Sequence, residues 1–136
     1  MEIIRQMYSG RLGRWQFFLL GLIVTVATML LQWLMLPASA EAETAGTVRL
    51  LITSIIFTVV SALASWHLMV RRLHDLGLSG WWIVLLFFLP AVPFLGDILL
   101  LISLIALLFI RGESEANSYG APAPSGRGLV DAFFNR

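Results

Sequence analysis

The sequence predicts an all-α integral membrane protein with two full transmembrane helices and a third, proline-broken hydrophobic segment that forms a helical hairpin. Of its 136 residues, 59% are hydrophobic and 12% are charged, whereas soluble domains are roughly 45–50% apolar and about 25% charged. The mean hydropathy is +0.88. Residues 17–36 and 50–70 carry no charged side chain, which is typical of membrane spans. We therefore predict one membrane-embedded helical domain over residues 1–111 and a polar tail over residues 112–136.

The first predicted span follows a short basic segment that contains Arg5, Arg11 and Arg14. Residues 17–36, at about 1.5 Å per residue, reach roughly 30 Å, which is one hydrocarbon thickness. The sequence Ala38-Ser39-Ala40 after this span resembles a signal-peptidase site. Because the apolar stretch is longer than the roughly 7–15 residues of a signal peptide, we expect an uncleaved anchor.

The second predicted span, residues 50–70, sets the orientation of the chain. Arg71 and Arg72 follow it directly. Three arginines lie before the first span and two in the 71–80 loop, against one in the loop of residues 37–49. Since short cytoplasmic loops carry an excess of basic residues, we predict a multi-pass protein whose N-terminus and 71–80 loop are cytoplasmic.

The third hydrophobic segment, residues 81–110, allows two topologies. A single helix would be about 45 Å long, longer than a bilayer requires, and would hold Pro90 and Pro93 in its interior. In a hairpin, the two prolines supply the break and Asp97 is the N-cap of a second helix over residues 98–110. We favour the hairpin, which returns the C-terminus to the cytoplasm; the alternative is a three-span bundle with an external C-terminus.

Small and polar side chains form one stripe on each predicted span. Helical spacing of three and four residues places the members of each stripe on one face. We interpret the stripes as helix contacts, because small and hydroxyl side chains let helices approach closely in membranes. The alternative is a polar path between the helices. The stripes consist of Gly21, Thr25, Thr28 and Gln32 in the first span and Ser54, Thr58, Ser61 and Ser65 in the second.

The tail begins at Gly112, where the composition changes to Gly, Ser, Ala, Pro and Asn. Such a composition favours an extended segment. Four apolar residues near the end of the tail are predicted to form one turn that contacts the membrane surface or a partner. They are Leu129, Val130, Phe133 and Phe134.

The charged residues between the second and third hydrophobic segments are the main candidates for chemistry. If the second helix continues past residue 70, Arg71 and Asp75 form an i,i+4 pair, and Gly77 ends the helix. The arginines can hold the cytoplasmic side of the membrane, or bind lipid phosphate or an acidic partner through their guanidinium groups. Catalysis, with His74 as a general base oriented by Asp75, is a third interpretation.

Several kinds of site are excluded by the sequence. It contains no cysteine, and therefore no disulfide and no thiolate metal site. His67 and His74 are two helical turns apart, about 10 Å, which is too far for easy shared coordination of a metal. No cofactor motif is present, and a net charge of +1 gives no basis for nucleic-acid binding. We expect neither a metal nor a cofactor.

The chain resembles a bacterial inner-membrane family known as domain of unknown function 805, through three elements. The central and most specific element is Arg-Arg-Leu-His-Asp-x-Gly-x-Ser-Gly-Trp-Trp, which residues 71–82 match throughout. The N-terminal element is matched by Gly10, Arg11, Arg14 and Phe17. The C-terminal element is matched by Gly112, Asn117, Tyr119 and Gly120, with Glu115 where glycine is usual. The resemblance implies a small bacterial inner-membrane protein with no settled activity.

If all three elements are cytoplasmic, they can meet at one pocket. We expect this pocket to be lined by Arg11, Arg14, Arg71, Arg72, His74, Asp75, Asn117 and Tyr119. The favoured hypothesis is a non-enzymatic accessory or binding protein that contacts anionic lipid headgroups, a membrane-protein partner or a second copy of itself. One alternative is an oligomeric small transporter or channel subunit that uses the polar stripes. The other is an intramembrane enzyme that uses His74 and Asp75.

Overall fold

The computed structural model describes residues 10–39, 44–123, 126 and 128–134. These residues form helices without a β-strand. Arg5 and Ala40, which entered the predictions above, lie outside the described residues. The helices are α1 (Arg14–Ser39), α2 (Thr44–Asp75), α3 (Trp82–Phe88), the 3-10 helix η1 (Leu89–Ala91), α4 (Leu95–Phe109) and α5 (Leu129–Phe134).

Two of the helices are long and apolar enough to cross a membrane. The qualifying stretches are Arg14–Met35 in α1 and Leu50–Asp75 in α2, which agree with the two predicted spans. Large apolar side chains along both helices are exposed, including Met29, Trp33 and Ile55, each more than 60% accessible. Contiguous apolar surface of this kind requires an apolar environment. The total number of membrane crossings stays a prediction.

The described part of the chain divides into two compact units. The first unit comprises Gly21–Ser65. In it, the hydroxyl groups of Thr28 and Ser61 are hydrogen-bonded at 2.7 Å, and Thr28 Oγ1 also donates to the Val24 carbonyl. Because Thr28 and Ser61 belong to the two predicted stripes, this bond supports their interpretation as helix contacts.

The second unit comprises the described residues of Met1–Leu20 and Trp66–Arg136. Its buried apolar core is formed by Val70 and Leu73 of α2, Ile83 of α3 and Leu107 of α4. The last turns of α2 are therefore enclosed by other segments, whereas residues 50–66 of the same helix are half-buried or exposed. This enclosure brings the charged residues at the end of α2 into the interior of the unit.

The end of α2 has the geometry that the sequence predicts. Gly77 has a φ of 72°, a left-handed conformation that favours glycine. The Leu78 N–H donates to the Leu73 carbonyl at 2.9 Å, and the Gly77 N–H donates to the His74 carbonyl at 3.1 Å. This pair of bonds is a Schellman motif, so the prediction that Gly77 ends the helix is confirmed.

The third hydrophobic segment is broken, but the second helix begins earlier than predicted. The prediction that Asp97 is the N-cap is wrong: α4 starts at Leu95, its N-cap is Phe94, and Asp97 lies in its first turn. The Leu95 N–H donates to the Pro93 carbonyl, and the Gly96 N–H donates to the Val92 carbonyl. The chain reverses through Phe94, whose φ is 64°, so this turn rather than the acidic side chain sets the start of α4. Asp97 still interacts favourably with the positive end of the helix.

Gly96 gives a testable prediction at this break. A Cβ atom at Gly96 would overlap the Leu89 carbonyl oxygen and lie 2.7 Å from the Leu89 carbonyl carbon. Gly96→Ala is therefore expected to lower the thermal denaturation temperature in detergent, although alanine normally stabilises a helix by about 1 kcal/mol relative to glycine. Gly21→Ala is the matched control, because nothing lies within 4 Å of its Cβ position. Equal denaturation temperatures for the two variants would show that the backbone approach at Gly96 is not tight.

Candidate functional site

The carboxylate of Asp75 is at the centre of the candidate site. It lies at the C-terminal end of α2 and is buried. Arg11 Nε donates to Asp75 Oδ1 at 3.0 Å, and Arg72 Nη1 donates to Asp75 Oδ2. The expected i,i+4 pair between Arg71 and Asp75 is replaced by an i,i+3 pair with Arg72. Two guanidinium groups therefore share one buried carboxylate.

Arg11 also fixes the segment that follows α4. Its Nη1 donates to the Glu115 carbonyl at 2.6 Å, and its Nη2 donates to the Glu113 carbonyl. The Glu113 N–H in turn donates to the Asp75 carbonyl at 2.9 Å. Gly112 faces the same carboxylate so closely that a Cβ atom there would overlap it. The first residues of the predicted tail are thus bonded to the end of α2.

Arg72 caps the end of α4. Its Nε donates to the Leu107 carbonyl at 2.7 Å, and its Nη2 donates to the Ile110 carbonyl. The last carbonyl groups of a helix have no partner within the helix, and a guanidinium group there also interacts favourably with the negative end of the helix dipole. Arg72 therefore joins α2, through Asp75, to the C-terminus of α4.

Arg71 makes a similar contact with the short helix α5. Its Nη1 donates to the Ala132 carbonyl and to the Phe133 carbonyl, the latter at 3.2 Å. His67 Nε2 donates to the same Phe133 carbonyl at 2.9 Å, and the His67 and Phe133 rings meet edge to face. His67 was not among the predicted site residues, although its spacing of four from Arg71 places both on one face of α2.

Three further predicted residues, His74, Asn117 and Tyr119, contact one another at the end of α2. The rings of His74 and Tyr119 are stacked, with centroids 3.9 Å apart. Asn117 Nδ2 donates to the His74 carbonyl at 2.9 Å and to Glu113 Oε2 at 2.7 Å. The imidazole thus faces Tyr119, while both oxygens of Asp75 are bonded to arginines. This arrangement does not orient His74 through Asp75, as a general base would require.

Most of the predicted site residues are buried and have hydrogen-bond partners within the chain. Arg11, Arg71, Arg72, His74 and Asp75 are each at most 9% exposed, and the guanidinium groups bind backbone carbonyls and Asp75. Buried charges need such partners, since an unpaired one is strongly destabilising. The chain supplies these partners itself because the segments at residues 10–13, 107–115 and 132–133 surround the end of α2. Backbone carbonyl oxygens therefore accept most of the hydrogen bonds that these guanidinium groups donate.

Arg14 is the exception among the arginines of the predicted set. It is the first residue of α1, and its side chain is exposed. It lines a cavity of about 650 Å³ whose wall also contains Trp15, Arg111, Glu113 and the edge of Asp75. Arg111 is exposed as well and was not among the predicted site residues. Gly126, Gly128 and Leu129 of the tail also line this cavity.

No group of three or more metal-ligating side chains occurs among the residues that the structure describes. The histidines are engaged separately, His67 with Phe133 and His74 with Tyr119. The two exposed arginines of the cavity instead suit an anionic group.

Comparison with known proteins assigns the chain to a family. Residues 6–121 match the family model described as protein of unknown function (DUF805). The chain belongs to this family. The matched range includes all eight predicted site residues, whereas α5 lies beyond it.

Two relatives of the chain are both described as inner membrane protein YhaI. The chain is 33% identical over 113 residues to the inner membrane protein YhaI of Escherichia coli strain K12, and the alignment covers 83% of this chain and 82% of that protein. The inner membrane protein YhaI of Escherichia coli O157:H7 gives the same values. No solved structure matches the chain.

Proposed function

We propose that this member of the family is a non-enzymatic inner-membrane protein that binds a phosphate group in the cavity beside the first turn of α1. The observation that carries the proposal is that two exposed arginines, Arg14 and Arg111, line the same cavity. The volume of about 650 Å³ lies within the range of roughly 300–1,000 Å³ that is usual for ligand sites. The buried residues Arg11, Arg72 and Asp75 hold the surrounding segments in place, and their charged groups are paired with one another.

The membrane setting is part of the same proposal. The chain crosses the inner membrane more than once, with its N-terminus and the 71–80 loop on the cytoplasmic side. Support comes from the two long apolar helices, from the name of the Escherichia coli relative and from the arginine bias of the flanking segments. In this orientation, the cavity lies near the cytoplasmic headgroups, which are the nearest source of phosphate.

The charges around the cavity favour an anion. Asp75 lines it, but Arg11 and Arg72 already neutralise this carboxylate. Glu113 lines it as well, and its carboxylate accepts a hydrogen bond from Asn117. Arg14 and Arg111 have no ion-pair partner among the described residues, and an arginine near anionic headgroups contributes about 1 kcal/mol.

Substitution of the two exposed arginines tests the proposal. Arg14→Gln and Arg111→Gln are each expected to weaken binding of phosphatidylglycerol about fivefold, the equivalent of about 1 kcal/mol, and the double variant more strongly. Native mass spectrometry of the detergent-purified protein, titrated with this lipid, measures the bound fraction. Arg14→Lys is the control, because it keeps the positive charge and should keep most of the affinity.

Unchanged lipid binding in the double Gln variant would contradict the proposal. Both arginines are exposed, so the denaturation temperature is expected to remain near that of the original protein. A loss of binding with an unchanged denaturation temperature therefore reports on the cavity rather than on folding.

A further inference from the structure

A second cavity shares lining residues with the larger cavity of about 650 Å³ in which we propose that phosphate binds. It has a volume of about 390 Å³ and is lined by Arg14, Trp15, Phe18, Leu108 and Phe109. Arg14 and Trp15 belong to both walls. The groove lies between the first turns of α1 and the last turn of α4, and Arg14 is the one charged side chain among the described residues that line it. We call it the apolar groove.

The two cavities differ in the polarity of their lining residues. The larger cavity contains Arg14, Arg111 and Glu113, whereas the apolar groove offers aromatic and aliphatic side chains beyond Arg14. Phe18 follows Arg14 by one helical turn, toward the long apolar part of α1. A molecule that occupied both would need an anionic group at one end and a hydrocarbon chain at the other.

We infer that the two cavities form one binding site for an anionic membrane phospholipid. The phosphate lies between Arg14 and Arg111, and one acyl chain lies in the apolar groove against Phe18 and Leu108. This inference rests on the proposed function and adds to it that the ligand is an amphiphile rather than a soluble phosphate compound. Trp15, at the junction, suits a position between headgroup and chain, since tryptophan favours the boundary between polar and apolar surroundings.

The charge pattern selects this occupant over an uncharged lipid. A neutral chain would gain little from the groove alone, because the surrounding bilayer is equally apolar. The gain comes from the exposed guanidinium groups of Arg14, which lines both cavities, and of Arg111 in the larger cavity, which can form charge-assisted hydrogen bonds with an anion. We therefore expect that both the headgroup contacts and the acyl-chain contacts contribute to the affinity for the lipid.

The test uses two probes and two kinds of variant. The probes are long-chain phosphatidylglycerol, followed by native mass spectrometry, and glycerol 3-phosphate, followed by isothermal titration calorimetry. Leu108→Trp is expected to fill the groove and to weaken lipid binding roughly five- to 150-fold, the equivalent of about 1–3 kcal/mol of overpacking. Ile102→Trp is the matched control, because Ile102 is an exposed residue of α4 that does not line the groove.

We expect lipid binding that is much tighter than glycerol 3-phosphate binding, weakened by Leu108→Trp and unaffected by Ile102→Trp. If Leu108→Trp binds the lipid normally while Arg14→Gln does not, the groove inference fails and the proposed function stands. If glycerol 3-phosphate binds as tightly as the lipid, the site serves a soluble phosphate compound, and the inference is overturned. If neither probe binds, both the inference and the proposed function fail.

Discussion

Asp75→Asn is expected to lower the free energy of unfolding by about 3–5 kcal/mol, because it leaves two buried guanidinium groups without their shared counter-charge. Arg11 and Arg72 both bond the Asp75 carboxylate, and the side chains of the three residues are nearly inaccessible to solvent. The amide of asparagine keeps the shape of the side chain but accepts fewer hydrogen bonds and carries no charge. Arg11 and Arg72 also bind the segments around α2, so the loss extends to the docking of residues 107–115.

Thermal denaturation in detergent measures this effect. For a chain of this size, 3–5 kcal/mol corresponds to a decrease of roughly 10 °C or more in the denaturation temperature. The control is Asp97→Asn, which removes an exposed carboxylate from the first turn of α4 and should change the temperature by only a few degrees. Similar decreases for Asp75→Asn and Asp97→Asn would show that the buried ion pairs contribute no more than an exposed charge.

Arg71→Met is expected to release α5 from the end of α2. The variant removes the donors to the Ala132 and Phe133 carbonyls, and leaving such groups without partners costs about 1–3 kcal/mol each. A six-residue helix has little stability of its own in water, and it depends on these bonds together with the His67 contact. Local opening of α5 should therefore become frequent while the rest of the unit remains folded.

Hydrogen–deuterium exchange of the peptide that contains residues 129–134 measures the release of α5. We expect much faster exchange there in Arg71→Met than in the unsubstituted protein, with a smaller change in the peptides of α4. Arg111→Gln is the matched control, since this arginine is exposed and should leave exchange in α5 unchanged. Equal protection of α5 in Arg71→Met and Arg111→Gln would contradict its attachment through Arg71.

The long helices could be predicted because their physical requirement is local. About 20 uncharged apolar residues are enough for a helix that spans the hydrocarbon of a membrane. The helices at residues 17–36 and 50–70 could therefore be predicted without tertiary information. The helix stop at Gly77 is equally local, since glycine readily takes the positive φ that a Schellman motif requires. The start of α4 was predicted three residues too late because the turn at Phe94 depends on how Gly96 packs against the backbone of Leu89.

The candidate site was only partly predictable. The eight residues were chosen as a group from the sequence, and the structure places all of them in one unit. Which arginine pairs with Asp75 depends on the packing of residues 10–13 and 107–115 around α2, and no pattern in residues 71–75 reveals that. The proposed roles of Arg111 and Trp15 depend on a cavity between α1, the end of α4 and the tail, which sequence patterns alone do not predict.

A double-mutant cycle between Arg11 and Asp75 tests most directly whether buried ion pairs at the end of α2 hold this unit together. Arg11→Gln, Asp75→Asn and the combined variant are compared by their free energies of unfolding in detergent. We expect a coupling energy of about 1.5 kcal/mol or more, within the range seen for residues that share one hydrogen-bonded network. Effects that add to within about 0.5 kcal/mol, as they do for independent sites, would contradict the account.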